Sequence, residues 1–203
     1  MKSNLLTITL SVLFLIGSAM MAPHSDKIAL GDNLPHEKVK MEDISGKKYS
    51  LNNLKKENGL LVVFAANKCV AIKYWGDRLM EAAEYCNDHE IGLVWVNANQ
   101  TQRSDGESFE DMKKFAIEKN ITFPYVVDED FLLANTFGVE VTPTSYLFDN
   151  KGKLVFQGMV DDNMMDASST KEKYLMDALA SMTNNQVVTV PEKFGRGCRI
   201  PRE

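Results

Sequence analysis

At 203 residues with a formal net charge of −5, the chain is sized for one ordinary domain with terminal extensions. Its 44% hydrophobic and 25% charged content is that of a globular protein and excludes a low-complexity, disordered chain. The acidic balance argues against nucleic acid as a partner, because duplex binding rests on a Lys/Arg surface.

Lys2 precedes an uncharged run from Leu5 to Ala22 that ends in small residues. This is the layout of a secretory signal, with Gly17-Ser18-Ala19 offering a cleavage point after Ala19. The alternative is an uncleaved membrane anchor, weakened by Thr7, Thr9 and Ser11. Either way the domain is expected outside the cytoplasm, periplasmic or secreted, and a membrane is a partner only if the segment is kept. Residues 1–22 are therefore set apart from a domain at 27–185 and a C-terminal tail at 186–203.

After an extended lead-in with Pro23 and Pro35, the segments 38–42 and 48–50 flank a Gly46 turn, a hairpin pattern. Residues 51–56 suit a helical turn. Residues 59–66, GLLVVFAA, read as a strand buried on both faces. Helical spacing runs from Val70 to about His89, with Ile72, Trp75, Leu79, Ala82 and Ala83 on one side. Residues 91–96 form a second buried strand. Ser108 through Asp111 resembles a capping box that opens a helix over 112–119. A strand at 123–127, a short helix at 131–137, a hairpin joining 144–148 to 154–157 and a helix at 171–182 follow, then a tail containing Pro and Gly. This order predicts an α/β domain: a mixed central β-sheet flanked by helices, with an N-terminal β-hairpin extension. It is similar to the thioredoxin-like fold in its peroxiredoxin-like form.

Cys69 follows a buried strand directly and begins a helix, the place in an α/β sheet where catalytic groups collect. Free N–H groups and the helix dipole are expected to lower its thiol pKa, with Lys68 and Lys73 adding positive charge if they face the sulfur. The competing reading is a small buried thiol that merely packs. Thr142-Pro143 stands directly before a strand, at a junction where a cis bond is tolerated, and would face Cys69 in this topology. Cys86 lies seventeen positions beyond Cys69 on the same helix, a separation of roughly 25 Å that forbids pairing. Cys198, in a glycine-flanked and flexible tail, is either the partner of Cys69 or an unpaired thiol. His24, His36 and His89 are scattered without cysteine at ligand spacing, and no nucleotide-binding glycine fingerprint occurs, so neither a metal nor another cofactor is expected. Asp161-Asp162-Asn163 reads as a turn or cap.

The residues Gly31-Asp32 with Pro35, Tyr49-Ser50-Leu51, the strand into Cys69, and Thr142-Pro143 resemble the alkyl hydroperoxide reductase/thiol-specific antioxidant superfamily. Within it a bacterial redoxin group is similar through Asn67-Lys68-Cys69-Val70 to Lys73, Glu107-Ser108-Phe109, Phe123-Pro124-Tyr125, Gly158 to Asn163, and Gly197-Cys198-Arg199-Ile200. The group's first helix-start cysteine is replaced by Ala66, the proline after the second by Val70, and a cysteine before Thr-Pro by Val141. A dithiol within one motif is therefore excluded. The peroxiredoxin proline and threonine correspond to Val62 and Ala66, against peroxidase activity. The resemblance implies an exported thiol-disulfide oxidoreductase. Cys69 is expected as its nucleophile and Cys198 as the resolving thiol, while Thr142, Pro143 and Lys73 shape the site. Its partners would be protein or small-molecule thiols and disulfides and an electron donor not identified by sequence. The alternatives are a redox-inactive thioredoxin-fold binding module, favoured by the lost motif residues, and a peroxiredoxin-like peroxide reductase.

Overall fold

The computed structural model describes residues 27–202, so the predicted signal segment and His24 lie outside the described residues. A two-stranded hairpin, β1 (Met41–Glu42) and β2 (Lys48–Tyr49), leads into a one-turn helix α1 (Leu51–Leu54) closed by a Ser50–Asn53 capping box. The hairpin docks through Asp43, which is 4% exposed and accepts the Tyr125 N–H at 2.8 Å.

The central sheet has six strands. β3 (Leu60–Phe64), β4 (Gly92–Asn97) and β5 (Tyr125–Val127) are parallel neighbours. On the other side of β3, β7 (Thr144–Phe148) and β8 (Leu154–Gly158) run antiparallel, and β9 (Glu192–Lys193) closes the edge in the order 5-4-3-7-8-9. β6 (Val141–Thr142) sits just before β7, joined to it through Pro143.

Alternation along β3 builds two cores. Leu61 and Val63 pack under α2 (Val70–Asp88), α3 (Phe109–Glu118) and α5 (Tyr174–Thr183). Leu60, Val62 and Phe64 face α1 and α4 (Leu132–Phe137), where Phe64, Phe137, Tyr146 and Phe148 form edge-to-face pairs 4.8–6.0 Å apart. A strand buried on both faces must be apolar throughout, and every residue of β3 is buried. The fold is thioredoxin-like, with the predicted mixed sheet and N-terminal hairpin. Among the described residues no helix is long and apolar enough to cross a membrane.

The tail departs from the expectation of a flexible segment. It adds β9 to the sheet, crosses through residues 194–197, and pairs β10 (Cys198–Arg199) antiparallel with β6. Ile200, 3% exposed, is buried in the α4 core, and its N–H reaches Glu140 O at 2.9 Å. The Arg202 guanidinium, stacked over Phe131, bonds to Asn135 and to the carbonyls of Ala134 and Val139. Two glycines make the crossing possible. A Cβ at Gly158 would stand 2.3 Å from Lys193 O, and one at Gly197 2.5 Å from Thr142 O.

Candidate functional site

Cys69 occupies the N-cap of α2, at the carboxyl end of β3, and is 4% exposed. Its thiol donates to the Thr142 carbonyl at 3.0 Å, the residue joined to Pro143 by a cis bond. Directly across from Thr142, in register, stands Cys198. Its half-buried side chain packs on the core that contains Cys69, and the Thr142 hydroxyl donates to Cys198 O at 3.5 Å. β6 thus carries the two cysteines to one place, and all three cysteines are thiols.

The electrostatics reverse the expectation of a lowered pKa. Burial, and then the Cys198 thiol beside it, push Cys69 up to about 11. The Thr142 side chain and the Ile72 N–H pull the other way without offsetting these. Desolvation penalises the thiolate more than one helix terminus favours it. Neither lysine supplies a countercharge: Lys68 pairs with Asp105 at 2.7 Å, and Lys73 is exposed on α2. Cys86 is 1% exposed in the core, where burial drives it to about 12.

A second set of residues, missed in the sequence, holds the loop before Cys69. Glu107, fully buried, accepts the N–H groups of Asn67 at 3.0 Å and Lys68 at 2.9 Å, and the Asn97 amide at 2.7 Å. Arg103 donates to Asn97 Oδ1 at 2.7 Å and to Glu107 O at 2.6 Å. The Tyr125 hydroxyl donates to Asn67 Oδ1 at 3.0 Å and accepts from Asn97. Burial raises the Tyr125 phenol pKa and lowers that of the Arg103 guanidinium. Asn67, Glu107 and Tyr125 each stand in a motif that carries the family resemblance, but nothing in the sequence showed that they meet.

On the other flank, Asp161 caps its turn as expected, accepting the Asn163 N–H at 3.0 Å, and also reaches α2. Its 1% exposed side chain accepts Trp75 Nε1 at 2.7 Å and pairs with Arg78, tying the loop after β8 to α2. His36 bonds Thr136 at 2.8 Å and His89 stacks on Tyr85 at 3.9 Å.

The sequence model of the AhpC/TSA family matches residues 30–157. The chain belongs to this family. The match ends before the tail, so Cys198 lies outside it. The AhpC/TSA chain is 24% identical over 164 residues to the thiol-disulfide oxidoreductase ResA of Bacillus thuringiensis, covering 77% of this chain and 89% of that protein. Among solved structures, an uncharacterized conserved protein from Geobacillus kaustophilus is 25% identical with a TM-score of 0.78, covering 86% of this chain and 93% of that one. A thiol:disulfide interchange protein DsbE from Chlorobium tepidum shares the fold at 18% identity and a TM-score of 0.60, over 77% and 99% of the two chains.

Proposed function

We propose that the protein is a thiol-disulfide oxidoreductase whose redox couple is Cys69 and Cys198. The observation that carries the reading is the β6–β10 pair, which sets Cys198 opposite the Thr142 carbonyl that holds the Cys69 thiol. The ResA relative supports the same chemistry. The two thiols together pass two electrons to a substrate disulfide, which leaves as two thiols while a Cys69–Cys198 disulfide forms. An external dithiol then restores the pair. Thr142 and Pro143 shape the site. The basic, apolar N-terminal run supports work in an exported compartment, where such bridges persist.

Dithiothreitol-driven reduction of insulin disulfides tests the reading. The wild-type protein should accelerate it, Cys69→Ser and Cys198→Ser should abolish the acceleration, and Cys86→Ser should keep it. A wild-type rate equal to that of dithiothreitol alone would contradict the proposal. The second reading, a redox-inactive binding module, draws on the Cys69 pKa near 11. At pH 8 that leaves about one thiol in a thousand ionised.

A further inference from the structure

Resting on that reading, a question of order follows from where the two sulfurs stand. Cys69 is 4% exposed, beneath the Thr142 carbonyl and inside the core, whereas Cys198 is half-buried on an edge strand of two residues. A disulfide in solution must approach its attacker along the line of its own S–S bond, and only Cys198 leaves room for that. The Cys198 surroundings also carry charge. Arg196 and Arg199 flank it, both exposed and, among the described residues, without a hydrogen-bond or ion-pair partner, in a protein whose net charge is −5. Lys193 adds a third exposed cation on the same tail.

We infer that Cys198, not Cys69, is the thiol that meets the substrate, that Cys69 is the buried resolving thiol, and that the preferred substrate is an anionic disulfide. In the first step the Cys198 thiolate attacks one substrate sulfur. The Cys198–substrate bond forms, the substrate S–S bond breaks, and the released thiolate takes a proton from water. In the second step Cys69 sulfur attacks Cys198 sulfur. The Cys69–Cys198 bond forms, the mixed disulfide breaks, and the second half leaves as a thiol with the Cys69 proton. The substrate gains two electrons and the cysteine pair loses two, to be restored by a dithiol. The order follows from access. The low thiolate fraction of Cys69 suits a thiol that acts only when Cys198 is presented to it as a mixed disulfide.

The test uses single variants and glutathione disulfide, which carries carboxylates, with peptide mass mapping of the adduct. Cys69→Ser should trap glutathione on Cys198 at least about ten-fold faster than Cys198→Ser traps it on Cys69, and the gap should vanish when both are unfolded in urea. Equal rates, or faster trapping on Cys69, would overturn the inference while leaving the oxidoreductase reading intact. No adduct on either variant would overturn both. The charge assignment is read with cystamine, a cationic disulfide. Arg196→Glu with Arg199→Glu should slow glutathione disulfide several-fold at low salt without slowing cystamine. Equal slowing of the two probes would refute the anionic preference.

Discussion

Removing the Glu107 carboxylate should destabilise the protein far more than removing a surface carboxylate three residues away. Glu107→Ala leaves three donors without an acceptor: the Asn67 and Lys68 N–H groups, which are partly shielded, and the Asn97 amide, which is fully buried. An unmet buried donor costs about 1–3 kcal/mol; taking the low end for the two shielded groups and the middle for Asn97 gives about 4 kcal/mol. For a domain of this size that is a fall in Tm of roughly 8–16 °C. Glu110→Ala removes an ion pair to Lys113 and a first-turn charge of α3 from a side chain 71% exposed, and should cost below about 1 kcal/mol. Urea unfolding followed by tryptophan fluorescence suits the comparison, since Trp75 and Trp95 are each 2% exposed. A Glu107→Ala loss below about 1 kcal/mol would refute the reasoning that this carboxylate holds the loop before Cys69.

Gly197→Ala would place a Cβ 2.5 Å from Thr142 O. Loosening the strap by about 1–3 kcal/mol should speed iodoacetamide alkylation of Cys69 roughly 5- to 150-fold; an unchanged rate would contradict the docking of β10. Asp161→Ala strands the Trp75 indole N–H and leaves the Arg78 guanidinium, still bonded to the Tyr74, Asn163 and Met164 carbonyls, without its countercharge, and urea unfolding should show a loss of about 3 kcal/mol. The Cys86 pKa, raised from 9.0 to about 12, means that the folded state holds this proton where the unfolded chain has lost it. That contribution is complete below the unfolded value and is lost as pH rises through the folded one. The stability gap between wild type and Cys86→Ala should therefore shrink from pH 9 towards 12, and a constant gap would refute the assignment.

The elements that sequence patterning revealed are those whose own residues determine them. β3 declared itself because a strand covered on both faces has no polar position, and α2 because its buried residues recur at helical spacing. Cys69 was legible for the same reason, standing at the junction of two strong signals. The tail was not. β9 and β10 are two residues each, too short to show a period, and they exist only because β8 and β6 offer unpaired edges. What could be read there was Gly197-Cys198, whose glycine fits the close approach to Thr142. The direction of the Cys69 pKa was misjudged because helix-terminus position is visible in a sequence, whereas the burial that outweighs it comes from the tail and the loop around Thr142. Glu107 and Asp161 escaped for a related reason: a carboxylate looks solvated until the groups that satisfy it, here from distant parts of the chain, are known.

Mass-spectrometric disulfide mapping of the protein across a graded dithiothreitol redox buffer decides whether Cys69 and Cys198 form the redox couple. One reducible intramolecular bridge, Cys69–Cys198, should form in a single two-electron transition while Cys86 stays a thiol. Oxidation that leaves Cys69 free, or that links Cys198 only between molecules, would contradict it.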